Sequence, residues 1–211
     1  MTASLEPPPR EALRMVGPDI RTVSTDLPLW RVHRTGTAHP QAWNGLRTWG
    51  PMATARWDAH PPPVGEHPRD GAGYFAFDVV TCLAEVYQTT RFVDIHAGSP
   101  YVTLFTLVRP LTLIDVSGDW LLKAGGRSSI AMGKKSRTRL WARAIRDAWP
   151  DLDGVYSRSA VAGAHACVTM WGGSEDAFPD APLSSNPLDS PAIVASIAAA
   201  AESVSYSSNC A

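Results

Sequence analysis

The segment 27–34, "LPLWRVHR", alternates apolar and polar positions, the pattern of a strand with two unlike faces. "GYFAF" (73–77) reads as another strand. The period then changes. Asp78 is placed to cap a helix over 79–91, on which Val79, Leu83, Val86 and Tyr87 form an apolar stripe. Thr81, Glu85, Gln88 and Thr89 share another face of that helix. "YVTLFTLVRPLTLIDV" (101–116) is the strongest β signal, broken at Pro110 into two short strands. Helical spacing returns in 133–150 with Leu140, Trp141, Ala144 and Ile145; Ser136 can cap this helix and Pro150 lies just past its end. "GVYSRS" (154–159) and "HACVTMWG" (165–172) read as strand pieces around a turn, and an Ala-rich helix covers 192–203.

Between these elements the pattern breaks down. Residues 1–26 contain several prolines and read as an arm or a short helix. Residues 35–70 are rich in Gly, Pro, His and Trp, a length of loop that is usually functional or mobile. Residues 173–191 are rich in Ser, Pro and Asp and read as loop. There is no repeat and no sign of a second domain, and adjacent β runs point to antiparallel pairing in a single α+β domain.

Composition narrows the class. With 45% hydrophobic residues and eight Trp among 211, the chain has material for one sizeable core. A net charge of −1 exerts no global pull toward nucleic acid or anionic membrane. Cys82, Cys167 and Cys210 are far apart with no CxxC, which fits neither a disulfide framework nor a zinc site and suits a reducing cytosol. The six histidines show no ligand spacing, so no metal is expected. The N-terminus lacks the apolar core of a signal peptide, and "AIVASIAAAAESV" is too short and Ala-rich to span a bilayer, so a cytoplasmic location is expected.

Several polar residues admit two readings. Glu85 is a solvated helix residue unless its face lines a cleft. Tyr74 is a core or edge aromatic or a stacking platform. Arg31, inside an apolar strand, must point outward or find an anion. Arg56 has Asp58 as a nearby partner or holds a phosphate. The run "GKKSRTR" (133–139) is a solvated helix start or a nucleic-acid contact. Glycine-rich phosphate-loop patterns and a GxSxG elbow are absent.

Four stretches in order take the reading further. "LWRVHR", "ARWDAHPPP", "GYFAFDVVTCLAEVYQ" and "SRTRLWARAIRDAWPDLDGVYSRSAVAGAHACVTMW" together resemble the blocks of the RES domain family, named for a shared Arg, Glu and Ser. The resemblance spans about residues 29–172. It places Arg31, Arg56, Tyr74, Glu85 and Ser159 at the family's positions, with Ser157 as the alternative serine. Cys82 stands where Ala is usual.

The resemblance implies an ADP-ribosyltransferase-like fold, a mixed or antiparallel β core flanked by helices. The RES domain would cover 27–175, after an arm at 1–26, with the loop and Ala-rich helix of 176–211 packing on the same domain. It implies that NAD⁺ is a substrate, not a cofactor, and is cleaved at the nicotinamide–ribose bond by a glycohydrolase or phosphorylase. Such an enzyme would be the toxin of a toxin–antitoxin pair, with an Xre-type protein as antitoxin. Glu85, Arg31 and Ser159 would be catalytic, and Arg31, Arg56, Tyr74, Ser159 and Ser157 would bind the dinucleotide. The alternatives are ADP-ribosyl transfer to a protein and a non-catalytic RNA- or protein-binding module. No membrane or nucleic-acid partner is expected, and self-association is left open.

Overall fold

A computed structural model of the chain describes residues 4–163 and 165–210. Its strands are β1 (Ile20–Val23), β2 (Leu29–Arg34), β3 (Trp49–Gly50), β4 (Gly65–Glu66), β5 (Ala72–Ala76), β6 (Phe92–Val93), β7 (Pro100–Phe105), β8 (Leu111–Asp115), β9 (Gly154–Arg158), β10 (Ala166–Trp171), β11 (Ser184–Pro187) and β12 (Ser207–Ser208). The helices are α1 (Arg10–Val16), α2 (Val79–Val86), α3 (Trp120–Lys123), α4 (Ser129–Met132), α5 (Lys135–Ala148) and α6 (Val194–Ser203).

Eight strands form one sheet in the order β1-β8-β9-β10-β5-β2-β7-β11. All its neighbours are antiparallel except β8 and β9. A parallel pair needs a long crossover, and the chain supplies one: α3, α4 and α5 all lie between β8 and β9. The two strands split at Pro110 therefore do not pair with each other, as their adjacency had led us to expect. β7 joins β2, while β8 lies on the far half of the sheet beside β1 and β9. The strand pieces around 154–172 do form the expected antiparallel pair, β9 with β10. The result is the α+β class with a mixed, mainly antiparallel core.

Residues opposite one another in register share a face of the sheet. Trp30, Ala76, Cys167 and Ser157 stand on one face, with Tyr74, Thr169 and Val155. That face is covered at its two ends and open between them. Toward β8 and β9, Ile114, Val155 and Trp171 are buried with Leu13, Trp57, Trp120, Trp141 and Ile145. Toward β2 and β7, Val32, Ala76 and Val102 are buried with Leu83 of α2 and Ile197 and Ala201 of α6. On the other face, Phe75, Phe105, Val168 and Met170 pack with Trp43, Leu46 and Phe178 from the loops.

Three segments differ from expectation. The N-terminal arm is part of the domain: β1 pairs with β8 at the sheet edge, Leu13 is fully buried, and the indoles of Trp120 and Trp141 donate to the carbonyls of Gly17 (2.7 Å) and Leu5 (3.1 Å). Only Val23 of β1 is buried; Ile20, Arg21 and Thr22 are exposed. The 35–70 loop is packed, with Trp57, Asp58, Ala59 and His60 buried. Asp58 accepts from Arg47 Nη2 (2.8 Å), the Met52 amide (2.8 Å) and both nitrogens His60 turns toward it. Finally, β11 lies in the segment read as loop; its "SSNP" pairs with β7 at the other sheet edge.

The helix boundaries also shift. α2 stops at Val86, where the Gln88 side chain donates to Glu85 O (2.7 Å) and competes with a further turn. α5 begins at Lys135 with Lys134 at the cap position and no side-chain cap, so Ser136 lies inside the first turn. No helix among the described residues is long and apolar enough to cross a membrane.

Candidate functional site

β2 and β5 share a single registered pair, Trp30 with Ala76, before they part. A cleft of about 510 Å³ opens there, floored by Tyr74, Ala76, Ser157, Cys167 and Thr169 and walled by α2 on one side. The rest of its wall comes from the 41–57 loop and the start of α5.

α2 brings Glu85 to this cleft. Asp78 caps the helix by accepting from the Thr81 amide (2.7 Å) and hydroxyl (2.8 Å), and it also meets His165 Nδ1 at 3.0 Å. Burial opposes ionisation of Asp78, but these hydrogen bonds outweigh it and hold its carboxyl below the usual range. Thr81, Glu85 and Gln88, grouped on one face by their spacing, all line the cleft. Val86, assigned to the buried stripe, is half-exposed at the cleft wall.

The Glu85 carboxylate is held on one side. Oε1 accepts from Ser159 Oγ at 2.6 Å and from the Ala160 amide at 2.9 Å, while among the described residues Oε2 meets only Gln88 Nε2 at 3.4 Å. Ser159 is almost fully buried. Its hydroxyl donates to Glu85 and accepts from the amides of Val161 (3.2 Å) and Ala162 (2.9 Å). One donor and two lone pairs are then used. Ser159 therefore stands behind Glu85, and its hydroxyl is not free for a ligand as the resemblance had implied. Ser157 lies on the cleft floor beside Cys167 in register.

The lining is strongly one-sided in charge. Arg31, Arg34, Arg47, Arg56, Lys135 and Arg158 face a single carboxylate, Glu85, among the described residues. Arg47 is neutralised by Asp58 at 2.8 Å. Arg31 is buried, its Nη1 donates to the carbonyls of Trp43 (2.9 Å) and Gly45 (2.6 Å), and its guanidinium lies 5.2 Å from the Phe75 ring centroid. Burial without a carboxylate partner pushes its pKa down to about 10. Arg56 does not pair with Asp58. It donates to the carbonyls of Ala131 (3.3 Å), Met132 (3.4 Å) and Gly133 (2.6 Å), and Asp58 goes to Arg47 instead. Burial lowers the Arg56 pKa while the Glu85 charge raises it. Tyr74 presents a partly exposed ring to the cleft, 38% accessible, and burial with the Asp58 charge pushes its phenol up. Burial raises both cleft thiols, Cys82 to about 12 and Cys167 beyond the ordinary thiol range.

The structure thus brings Arg31, Arg56, Tyr74, Glu85 and Ser157 to one cleft and puts Ser159 in contact with Glu85. Arg34, Arg47, Gln88, Lys135 and Arg158 also line it. Gln88 was legible as a neighbour of Glu85 one helical turn on, and Lys135 only as part of a basic run. The basic run itself is mostly absorbed by the fold: Arg137 pairs with Glu6, and Arg139 donates to the carbonyls of Met52 (3.2 Å) and Ala53 (2.9 Å). Among the described residues no three His, Cys, Asp or Glu side chains cluster as metal ligands.

In this α+β domain the central sheet parts over a cleft with an excess of cationic lining residues and one oriented carboxylate. The RES domain model matches residues 28–191, and the chain belongs to that family. In fold it is similar to a chain of the MbcT–MbcA toxin–antitoxin complex of M. tuberculosis, with a TM-score of 0.54 and 18% sequence identity over 90% of this chain and 96% of the other. No curated protein matches.

Proposed function

We propose that the protein is an NAD⁺-degrading enzyme, a glycohydrolase or phosphorylase, and the toxin of a toxin–antitoxin pair. One observation carries this reading above the others: Glu85 has one carboxylate oxygen fixed by Ser159 and Ala160 and the other held only by a long contact from Gln88, in a cleft whose other charged lining residues are cations. NAD⁺ matches both halves of that arrangement. Its pyrophosphate needs cations. Its nicotinamide nitrogen is positive, so the ring leaves as a neutral molecule when it takes the bonding pair, and no general acid is needed. Positive charge then develops on the ribosyl carbon, where a preorganised carboxylate stabilises it. Water attack yields ADP-ribose and a proton; phosphate attack yields ADP-ribose phosphate. In this reading Tyr74 stacks on a ring of the dinucleotide, and Ser159 positions Glu85.

The toxin assignment rests on family membership and on the similar chain from a toxin–antitoxin complex. An Xre-type protein is the proposed antitoxin partner.

The test is to incubate purified protein with NAD⁺, with and without phosphate, and measure nicotinamide release. Release with free ADP-ribose or its phosphate supports the reading. Label from NAD⁺ appearing on lysate protein replaces it with ADP-ribosyl transfer, and absence of release sinks both. In cells, induction should slow growth and deplete NAD⁺, while Glu85→Gln should do neither.

A further inference from the structure

The basic run at 133–139 has a member that the fold does not consume. Lys134 is exposed, and Arg137 and Arg139 are engaged as described. Lys135, the first residue of α5, lines the cleft half-buried. Among the described residues its ammonium has no hydrogen-bond or ion-pair partner.

The position of Lys135 is built rather than incidental. Arg56 draws the carbonyls of residues 131–133 to its guanidinium, ending with Gly133 at 2.6 Å, and so pins the chain two residues before Lys135. Thr138 Oγ1 then donates back to Lys135 O at 2.9 Å. A half-buried ammonium gives up hydration that no protein acceptor here replaces. Burial, and the charges of Arg56 and Arg139, lower its pKa, while Glu85 raises it. Arg56 adds to the deficit, because its Nε is buried without an acceptor. A bound anion would relieve the Lys135 ammonium and add countercharge beside Arg56.

We propose that Lys135, held in place by Arg56, is a phosphate-binding residue of the cleft. The phosphate belongs to the substrate's pyrophosphate or to a free phosphate ion that attacks the ribosyl carbon. Identifying the substrate as a dinucleotide rests on the NAD⁺ reading; the anion site does not. A lysine suits the role because a point charge on a flexible stem donates to a phosphate oxygen without a fixed fork geometry.

The experiment uses the full chain and Lys135→Met, with exposed Lys134→Met as the control and Lys135→Gln in reserve if the first variant misfolds. ADP-ribose and inorganic phosphate binding are measured by calorimetry, and nicotinamide release is measured against NAD⁺ and phosphate concentration. If Lys135 holds the pyrophosphate, Lys135→Met weakens ADP-ribose binding roughly tenfold or more and raises KM for NAD⁺ more than it lowers kcat. If it holds free phosphate, phosphate binding falls by a similar factor and KM for NAD⁺ measured without phosphate stays put. Lys135→Arg should restore most of either loss, and Lys134→Met should behave as wild type. Unchanged binding of both anions by a folded variant overturns the proposal, as does failure of the wild-type protein to bind either. Anion binding without nicotinamide release would sink the NAD⁺ reading and leave the calorimetric answer on Lys135 standing.

Discussion

Glu85 and Ser159 are separated by 74 positions in sequence and by 2.6 Å in the fold. That contact sets separate expectations for the two side chains. Glu85→Gln keeps the size of the side chain but removes the negative charge, so nicotinamide release should fall by about a hundredfold or more in a folded protein. A folded Glu85→Gln variant with near-normal turnover would remove the carboxylate from the mechanism. Ser159→Ala frees Oε1 from one of its two donors and should lower kcat roughly ten- to a hundredfold, with a smaller change in KM. Ser157 makes no bond to the carboxylate, so Ser157→Ala should stay within about threefold of wild type by the same reasoning. Rates for the two alanine variants in the reverse order would reassign the serine. The resemblance had placed Ser159 at the family's position with Ser157 as the alternative; register and burial set them apart, since Ser157 sits on the cleft floor and Ser159 sits behind the Glu85 carboxylate.

At the scale of elements, α2 is the short helix that aims Glu85, and its start depends on Asp78. Asp78→Ala should lower unfolding free energy by about 1 kcal/mol near neutral pH, measured by denaturant titration, whereas Asp78→Asn retains a capping oxygen and should cost less. The sign of the pH dependence follows from the depressed carboxyl. Its contribution is complete above the unfolded value, about 4, and is lost as pH falls through the lower folded value. The gap between wild type and Asp78→Ala should therefore narrow on acidification; a gap that widens would contradict the proposed cap. β9 has its own requirement. Gly154 has φ +153°, and a Cβ there would run into the Thr169 carbonyl of β10. Gly154→Ala should destabilise the protein by about 3 kcal/mol or fail to fold, because backbone rather than a flexible side chain stands in the way. Asp78 as a cap was legible from its place before an apolar helix. The need for glycine at 154 was not, because it comes from a strand packed alongside only after folding.

For the molecule as a whole, the N-terminal segment closes the sheet edge at β8 and supplies Leu13 to the core. Deleting residues 4–26 should therefore abolish cooperative thermal unfolding; a truncated protein that keeps the wild-type Tm would show the segment to be an accessory after all. Read alone, the chain determined what short-range physics controls. Alternation marked β2, β-forming composition split at Pro110 marked β7 and β8, helical spacing marked α2 and α5, an Ala-rich run marked α6, and the order of four motifs pointed to the RES family. These features depend on neighbours a few positions apart, and their signal survives without knowledge of the fold. Tertiary structure decided the remainder. The weakly apolar β1 and the polar β11 are strands because the sheet offers them unpaired edges. β7 and β8 are parted because a long helical crossover intervenes before β9. Arg56 spends its Nη groups on the carbonyls before α5, and Lys135 turns into the cleft, because those carbonyls and that cleft exist only once distant segments meet. Which oxygen of Glu85 is held and which is open was settled in the same way, by a serine and an amide that lie next to it only in three dimensions.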